Sequence, residues 1–404
     1  MTPKKYPLSK WNCSLTDVDP DALDAVLQLQ RAGYAAYIVG GGVRDLLLGG
    51  HPKDFDISTS AKPEEIKQLF GKRCLLIGRR FRLAHLRVKN KIFEISTFRA
   101  GDTSTGALIV RDNRWGSEEE DVLRRDFTIN ALYLDPHTEE VIDYVGGIKD
   151  IQAKILETVG DPIARFQQDP VRMIRLIKFQ ARLHGFTVEP KTAKALTLCK
   201  DEILKSAPAR VLEEIFKMLE SKKAAPFFHL MNDLGFLKLL FPCFEHFHTT
   251  QTKQLAQNYL KALDALHKEN KYVLDRSIQL AALVFPILEQ EIAQLTHDRG
   301  VAPSIHEIAN LSQSLLHGIS SSSFSHFPKR TLALCHLALV HQFKLTPMKS
   351  AVKLHSRFTT HFDFELALDL LKLRAHVDHD LESILSVWIK EFQRRMTRVK
   401  EHDH

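Results

Sequence analysis

The chain is poor in cysteine, with five in 404 residues: Cys13, Cys74, Cys199, Cys243 and Cys335. None forms a C-x-x-C pair, so neither a thiolate zinc motif nor a dithiol redox motif is available, and reduced, mostly buried thiols are expected. The 20 histidines show no metal-ligand spacing with other ligands. No run of about 18 apolar residues is found, so no membrane span is expected. The opening residues, MTPKKYPLSKWNCS, lack the apolar core of a signal peptide, and the cytosol is the expected compartment. Neither G-x-G-x-x-G nor a Walker A loop occurs. There is no fixed repeat period and no low-complexity linker.

What is present is a soluble-type composition, 44% hydrophobic and 26% charged, over a length that predicts two or three domains. A net charge of +7 permits a polyanionic partner. Residues 21–32 have helical periodicity, and Gly33 makes a good stop. Strand-like segments follow at 35–39, 55–58, 73–77, 81–88 and 92–98, with helices at 43–48 and 63–70. Only one helix separates the later strands, so a mixed or antiparallel sheet is expected rather than a doubly wound one. Residues 100–114 read as an exposed mobile loop, Ser117 as a helix start, and 127–134 and 141–144 as further strands. From Asp161 onward the pattern is helical. The expected architecture is α+β: a head at 1–160, a helical neck at 161–225 and a helical body, the expected RNA-binding region, at 226–404.

Three clusters carry chemistry. In YIVGGGVRDLLLGGHPKDFDIS (37–58), Asp54 and Asp56 are two apart, and on a strand such residues share a face. Close carboxylates repel unless a cation lies between them, and Mg²⁺ suits an all-oxygen shell completed by phosphate. The other reading of D-x-D is an exposed polar strand edge. Gly40, Gly41 and Gly42 lie between strand and helix, where backbone N–H groups can approach phosphate; a tight turn is the plainer account. Arg44 can pair with a phosphate oxygen. The second cluster is Arg124-Arg125-Asp126, with Asp126 a third carboxylate and Arg125 a phosphate or ribose contact; basic residues closing a helix are the alternative. Glu94, alone in the apolar strand KIFEISTF, is another candidate for the acidic centre. The third cluster is Gln168 to Arg175. Asp169 and Arg172 are three apart and can read a base edge, while Asp169 also suits a helix N-cap before Pro170.

In order and spacing these clusters resemble the nucleotidyltransferase superfamily that contains class II tRNA CCA-adding enzymes and bacterial poly(A) polymerases. The resemblance covers residues 34–183 and implies a polymerase β-like head. DYVGGIKDI (143–151) is similar to the family's flexible join between head and neck, and QDPVRMIR (168–175) to its nucleobase-reading motif. LLIGRRFRLAHL (75–86) resembles the poly(A) branch. Its Arg79, Arg80 and Arg82 form a basic edge suited to primer phosphates, a solvated sheet edge being the alternative. Two departures stand out: Gln168 where the family usually has Glu, and a C-terminus, KEFQRRMTRVKEHDH, that is only modestly basic. The resemblance implies template-independent addition of AMP from ATP to the 3′ ends of mRNA or other RNAs. Asp54 and Asp56 would hold two Mg²⁺ ions, supported by Asp126. Gly41 and Arg44 would hold triphosphate, Arg125 sugar or phosphate, and Asp169, Arg172 and Arg175 would form the base-facing wall. CCA addition to tRNA is the alternative product, and an RNA-binding protein with an inactive head is the alternative of a different class.

Overall fold

The computed structural model describes residues 2–78, 83–101, 114–242, 250–269, 273–321, 324, 326–347 and 362–402. The candidate primer contacts Arg79, Arg80 and Arg82, and most of the expected loop at 100–114, lie outside them. The chain forms two compact units, Met1–Lys205 and Ser206–His404.

The first unit opens with strand β1 (Lys4–Pro7) and helix α1 (Pro20–Arg31). Asp19 caps α1 by accepting the Asp21 N–H, and Ala22, Ala25, Val26 and Leu29 form its buried stripe. Then come β2 (Ala36–Val39), α2 (Gly41–Leu47), β3 (Asp56–Thr59), α3 (Pro63–Phe70), β4 (Cys74–Ile77), β5 (Leu83–Val88) and β6 (Lys91–Thr97). After α4 (Glu118–Leu123) follow β7 (Leu132–Asp135), β8 (Glu140–Asp143) and α5 (Gly147–Ala153). The eight strands make one sheet in the order β1-β8-β7-β2-β3-β6-β5-β4. Every pairing is antiparallel except β3 with β6. The mixed sheet expected from the short connections is therefore the observed one.

Beneath its centre, Val39, Phe98, Val122, Ala131, Tyr133 and Ile142 form a core, with the Tyr37 and Tyr133 rings 5.5 Å apart. α4 starts at Ser117 with a reciprocal capping box to Glu120. One local expectation needs correction. Residues 128–130 form a 3-10 turn before β7, not continuous strand. The joining segment is the end of β8 followed by α5, and Asp143 draws it tight by accepting the N–H groups of Val145, Gly146, Gly147 and Ile148. The N-terminal strand β1 was not foreseen.

The first unit ends with β9 (Ile155–Leu156), α6 (Pro162–Gln168), α7 (Val171–Arg182), β10 (Thr187–Val188) and α8 (Pro190–Leu198). The second unit is helical: α9 (Pro208–Leu219), α10 (Ala224–Asp233), α11 (Phe236–Leu240), α12 (Thr250–Glu269), α13 (Arg276–Arg299), α14 (Ile305–Ser320), α15 (Lys329–Leu345), α16 (Phe362–Val377) and α17 (Glu382–His402). α13 alone is long and apolar enough to cross a membrane among the described residues, but 67% of its apolar window is buried within the protein. α12, α14, α15 and α16 pack around it, which accounts for its apolarity as a bundle centre.

Candidate active site

The glycine turn and the aspartate pair meet because of two glycines. Gly40 has φ 73°, in the left-handed region. At Gly42 a Cβ would lie 3.0 Å from the Phe55 ring and 3.2 Å from the Asp54 carbonyl oxygen, so α2 can sit against the aspartate segment only without a side chain there. Phe55 is 4% exposed and anchors that segment, while Asp54 and Asp56 on either side of it are exposed. Burial alternates along 54–56 as an i, i+2 spacing would have it, although Asp54 stands before β3 begins and only Asp56 is on the strand. The donor set is carboxylate oxygen alone, which fits Mg²⁺. Among the described residues no three His, Cys, Asp or Glu side chains gather into a metal shell. The remaining ligands would therefore come from phosphate and water.

Glu94 was expected to be costly in an apolar strand, but it is exposed and lies 3.7 Å from His85 on β5. The outward alternation of β6 explains the difference. β3 and β6 run parallel, with Ile57 level with Ile95 and Ser58 with Ser96. One residue upstream on these strands stand Asp56 and Glu94, both exposed.

The arginines behave differently. Arg44 is 3% exposed, donates to Asn130 Oδ1 at 2.6 Å and Asp45 Oδ1 at 2.8 Å, and lies 5.0 Å over the Phe179 ring. Arg125 lies 5.0 Å over Tyr133 and donates to Ser58 Oγ and to Asp121 Oδ2, each at 3.0 Å. Its other arm lies beside Gly40, 3.5 Å from where a Cβ would stand. Asp126 accepts the Phe127 N–H at 2.8 Å and Asn130 Nδ2 at 3.3 Å, and faces Arg175 at 3.7 Å.

Asp121 is the hub that the sequence reading missed. Fully buried, it accepts the Arg99 N–H, Arg124 Nε, Arg125 Nη2 and the Tyr133 hydroxyl. Burial pushes its carboxyl up, but Arg125, Arg124 and the Tyr133 hydroxyl outweigh that and hold it at about 2. Its spacing, three before Arg124 and four before Arg125 on a helix, was the available signal.

Beyond α4, two buried arginines take three consecutive carbonyls. Arg165 donates to the carbonyls of Leu123 at 2.6 Å and Arg125 at 2.8 Å, and Arg172 to that of Arg124 at 3.0 Å. Arg165 also donates to Gln168 Oε1 at 3.0 Å, and Arg172 to the Arg165 carbonyl at 3.1 Å. Asp169 closes α6 and is not the cap of α7, whose N-cap is Pro170. The Asp169 backbone turns away with φ −146°, and its carbonyl accepts the Arg172 N–H at 3.0 Å. Asp169 is nonetheless the strongest counter-charge on Arg172. The structure thus brings Asp169, Arg172 and Arg175 to one junction with Asp126, though most of the Arg172 fork is turned to main chain.

Comparison with known proteins decides the family. Residues 36–157 match the family described as "Poly A polymerase head domain". Poly(A) polymerase I of Haemophilus influenzae is 34% identical over 401 residues, covering 95% of this chain and 87% of its own. The chain belongs to the poly(A) polymerase family. Residues 185–247 match a second family, "Probable RNA and SrmB- binding site of polymerase A". CCA-adding enzymes are relatives too. That of Lactobacillus helveticus is 39% identical over 211 residues, half of this chain and 51% of its own. The solved Bacillus stearothermophilus CCA-adding enzyme in complex with CTP superposes with a TM-score of 0.66 at 27% identity, covering 94% of this chain and 83% of the other. The poly(A) polymerase head is accordingly a nucleotidyltransferase fold, as the motifs implied.

Proposed function

We propose that this chain adds AMP from ATP to RNA 3′ ends without a template. The observation that carries the reading is the exposed Asp54/Asp56 pair, pinned by Phe55 against a glycine turn that has Arg125 beside it. The RNA 3′-hydroxyl oxygen attacks the α-phosphorus of ATP, a new P–O bond forms, and pyrophosphate leaves. Asp54 and Asp56 would hold two Mg²⁺ ions, which lower the pKa of an attacking hydroxyl and neutralise a leaving pyrophosphate. Glu94, one residue before the Ile57–Ile95 register on the neighbouring strand, is a further exposed carboxylate near this edge, outside the metal shell. Asp126 supports the centre through Asn130 and Arg175. The Gly41 turn leaves room for triphosphate, and Arg44 sets that turn by holding Asn130. Arg125 contacts sugar or phosphate from its place beside Gly40, and Asp169, Arg172 and Arg175 form the base-facing wall.

CCA addition to tRNA is the second reading, favoured by 39% identity to a CCA-adding enzyme over half of this chain. Incubation with oligo(A), with tRNA lacking its CCA end, and with each nucleotide separately distinguishes them. Long A-tails on generic RNA are expected. Addition that stops after two C and one A would replace the first reading with the second. Absence of any Mg²⁺-dependent ATP consumption would leave an RNA-binding protein with an inactive head.

A further inference from the structure

The second unit holds a groove of ≈ 590 Å³ that the reaction does not use, walled by Lys222, Lys223 and His229 on one side and Lys253, Lys261 and Lys268 of α12 on the other. Asp264 is the carboxylate lining it, and that side chain is committed: it is 6% exposed and accepts the N–H groups of Ala224 at 2.7 Å and Ala225 at 3.0 Å. Lys253 reaches Asp233 only at 3.8 Å. Among the described residues, Lys222, Lys223, Lys261 and Lys268 form no ion pair with a carboxylate, and Asp264 acts on Lys223 and Lys268 only as a nearby charge. Lys222 is held at φ 63°, in the left-handed region that favours glycine. Like charges gathered in a concavity repel one another, and a polyanion relieves the repulsion.

The shape narrows the polyanion. Along α12 the lysines at 253, 261 and 268 are spaced by about 12 and about 10 Å at the usual helical rise, a row rather than a point. A lone phosphate cannot span it, but a phosphate backbone can. At the Lys253 end the groove shares Lys253 and Gln257 with an apolar pocket lined by Phe228, Leu237 and Leu283. An apolar recess opening off a basic track suits an unstacked base, which a duplex does not present.

We propose that the α10–α12 groove binds the backbone of single-stranded RNA, with one base entering the adjoining pocket. The proposal rests on the RNA-extending reading above. It names side chains for binding and adds α12, which lies beyond the residues matched to an RNA-binding family. The test is fluorescence anisotropy of the full chain with a labelled oligo(A) of about 15 nucleotides, without ATP or Mg²⁺, across a salt series. The variant Lys253→Gln/Lys261→Gln/Lys268→Gln keeps good helix formers on an exposed face. Affinity is expected to fall about tenfold or more, and the slope of log affinity against log salt by about 2. Unchanged affinity and slope in a folded variant would overturn the proposal. Should the triple variant not fold, Lys222→Gln/Lys223→Gln in the turn before α10 is expected to lower the slope by about 1.4. Equal competition by duplex RNA would overturn the single-strand assignment, and equal competition by poly-glutamate would transfer the groove to an acidic protein segment. Because binding is read without nucleotide addition, a chain that binds in this way but adds no nucleotide would refute the activity and leave the groove standing.

Discussion

The aspartates and the arginines of the head occupy opposite physical situations. Asp54 and Asp56 are exposed, whereas Arg44, Arg165 and Arg172 are 3%, 2% and 6% exposed and their donors are largely spent on protein. The exposed pair is open to a ligand. The buried arginines hold protein: Arg44 holds the Asn130 and Asp45 side chains, and Arg165 and Arg172 satisfy the main-chain carbonyls of residues 123 to 125. A guanidinium in a ligand-binding motif is therefore not by itself a ligand contact; its five fixed donors serve equally well to tie a turn. Arg125 combines the two situations, bound to Asp121 and Ser58 yet lying beside the Gly40 turn.

If that division is correct, changing the exposed acids removes chemistry without removing the fold. Asp54→Ala with Asp56→Ala is expected to abolish nucleotide addition, a loss of more than about a thousandfold, with an unchanged thermal melt. Primer extension by the double variant would break the comparison outright. The third carboxylate sharpens it next. Asp126 is engaged by Arg175, Asn130 and the Phe127 N–H, while Glu94 is exposed, faces only His85 at 3.7 Å, and stands one residue before the Ile57–Ile95 register. Glu94→Gln is expected to reduce kcat about a hundredfold and Asp126→Asn by less. The reverse order, measured on the same primer, would put Asp126 in the reacting layer and Glu94 outside it.

Changing the buried partner should do the opposite, removing fold before chemistry. Asp121→Ala strands two guanidinia and a phenol and is expected to cost about 3–5 kcal/mol in denaturant unfolding. The same residue sets an acid limit. Its folded pKa, about 2, lies below its ordinary 3.8, so its stabilisation is fully present above pH about 4 and is lost as pH falls through about 2. The full contribution is about 2 kcal/mol. Stability measured against pH should therefore fall over that window in the parent chain and be flatter in Asp121→Asn. Equal acid profiles would show that the carboxylate is not held by its arginines.

Much of this was legible beforehand, for identifiable reasons. The mixed sheet followed from strands with one intervening helix, and the exposed face of Asp54 and Asp56 from a period of two around an apolar Phe55. Asp121 was not singled out, because in a run of acids at a helix start its neighbours Glu118 to Glu120 suit the dipole equally well; its spacing to both Arg124 and Arg125 was the one sequence signal, and burial against Tyr133 makes it the hub. Glu94 was misread because a strand's composition does not say which of its faces is wet. Asp169 was placed at a helix start because Asp-Pro commonly is one, whereas α6 ends there and its backbone must turn before α7 begins.

Arg172 is where the two regimes compete, and it carries the smallest expected effect. One arm holds the carbonyl of Arg124 and another that of Arg165, so the side chain ties α7 to the segment bearing Arg125 and Asp126. Asp169 is its strongest counter-charge and sits at the same junction. Arg172→Lys retains the charge but not the fork, and one ammonium cannot reproduce both bonds in the same geometry. A stability loss of about 1–2 kcal/mol is expected from the weakened carbonyl contacts. If Arg172 also belongs to the base-facing wall, the preference for ATP over CTP should fall several-fold, with kcat for ATP less affected than its KM. A lowered melt with an unchanged preference among the four nucleotides would confine Arg172 to the clamp. Base selection would then have to come from Arg175 and Asp169, which are less buried and lie at the same junction.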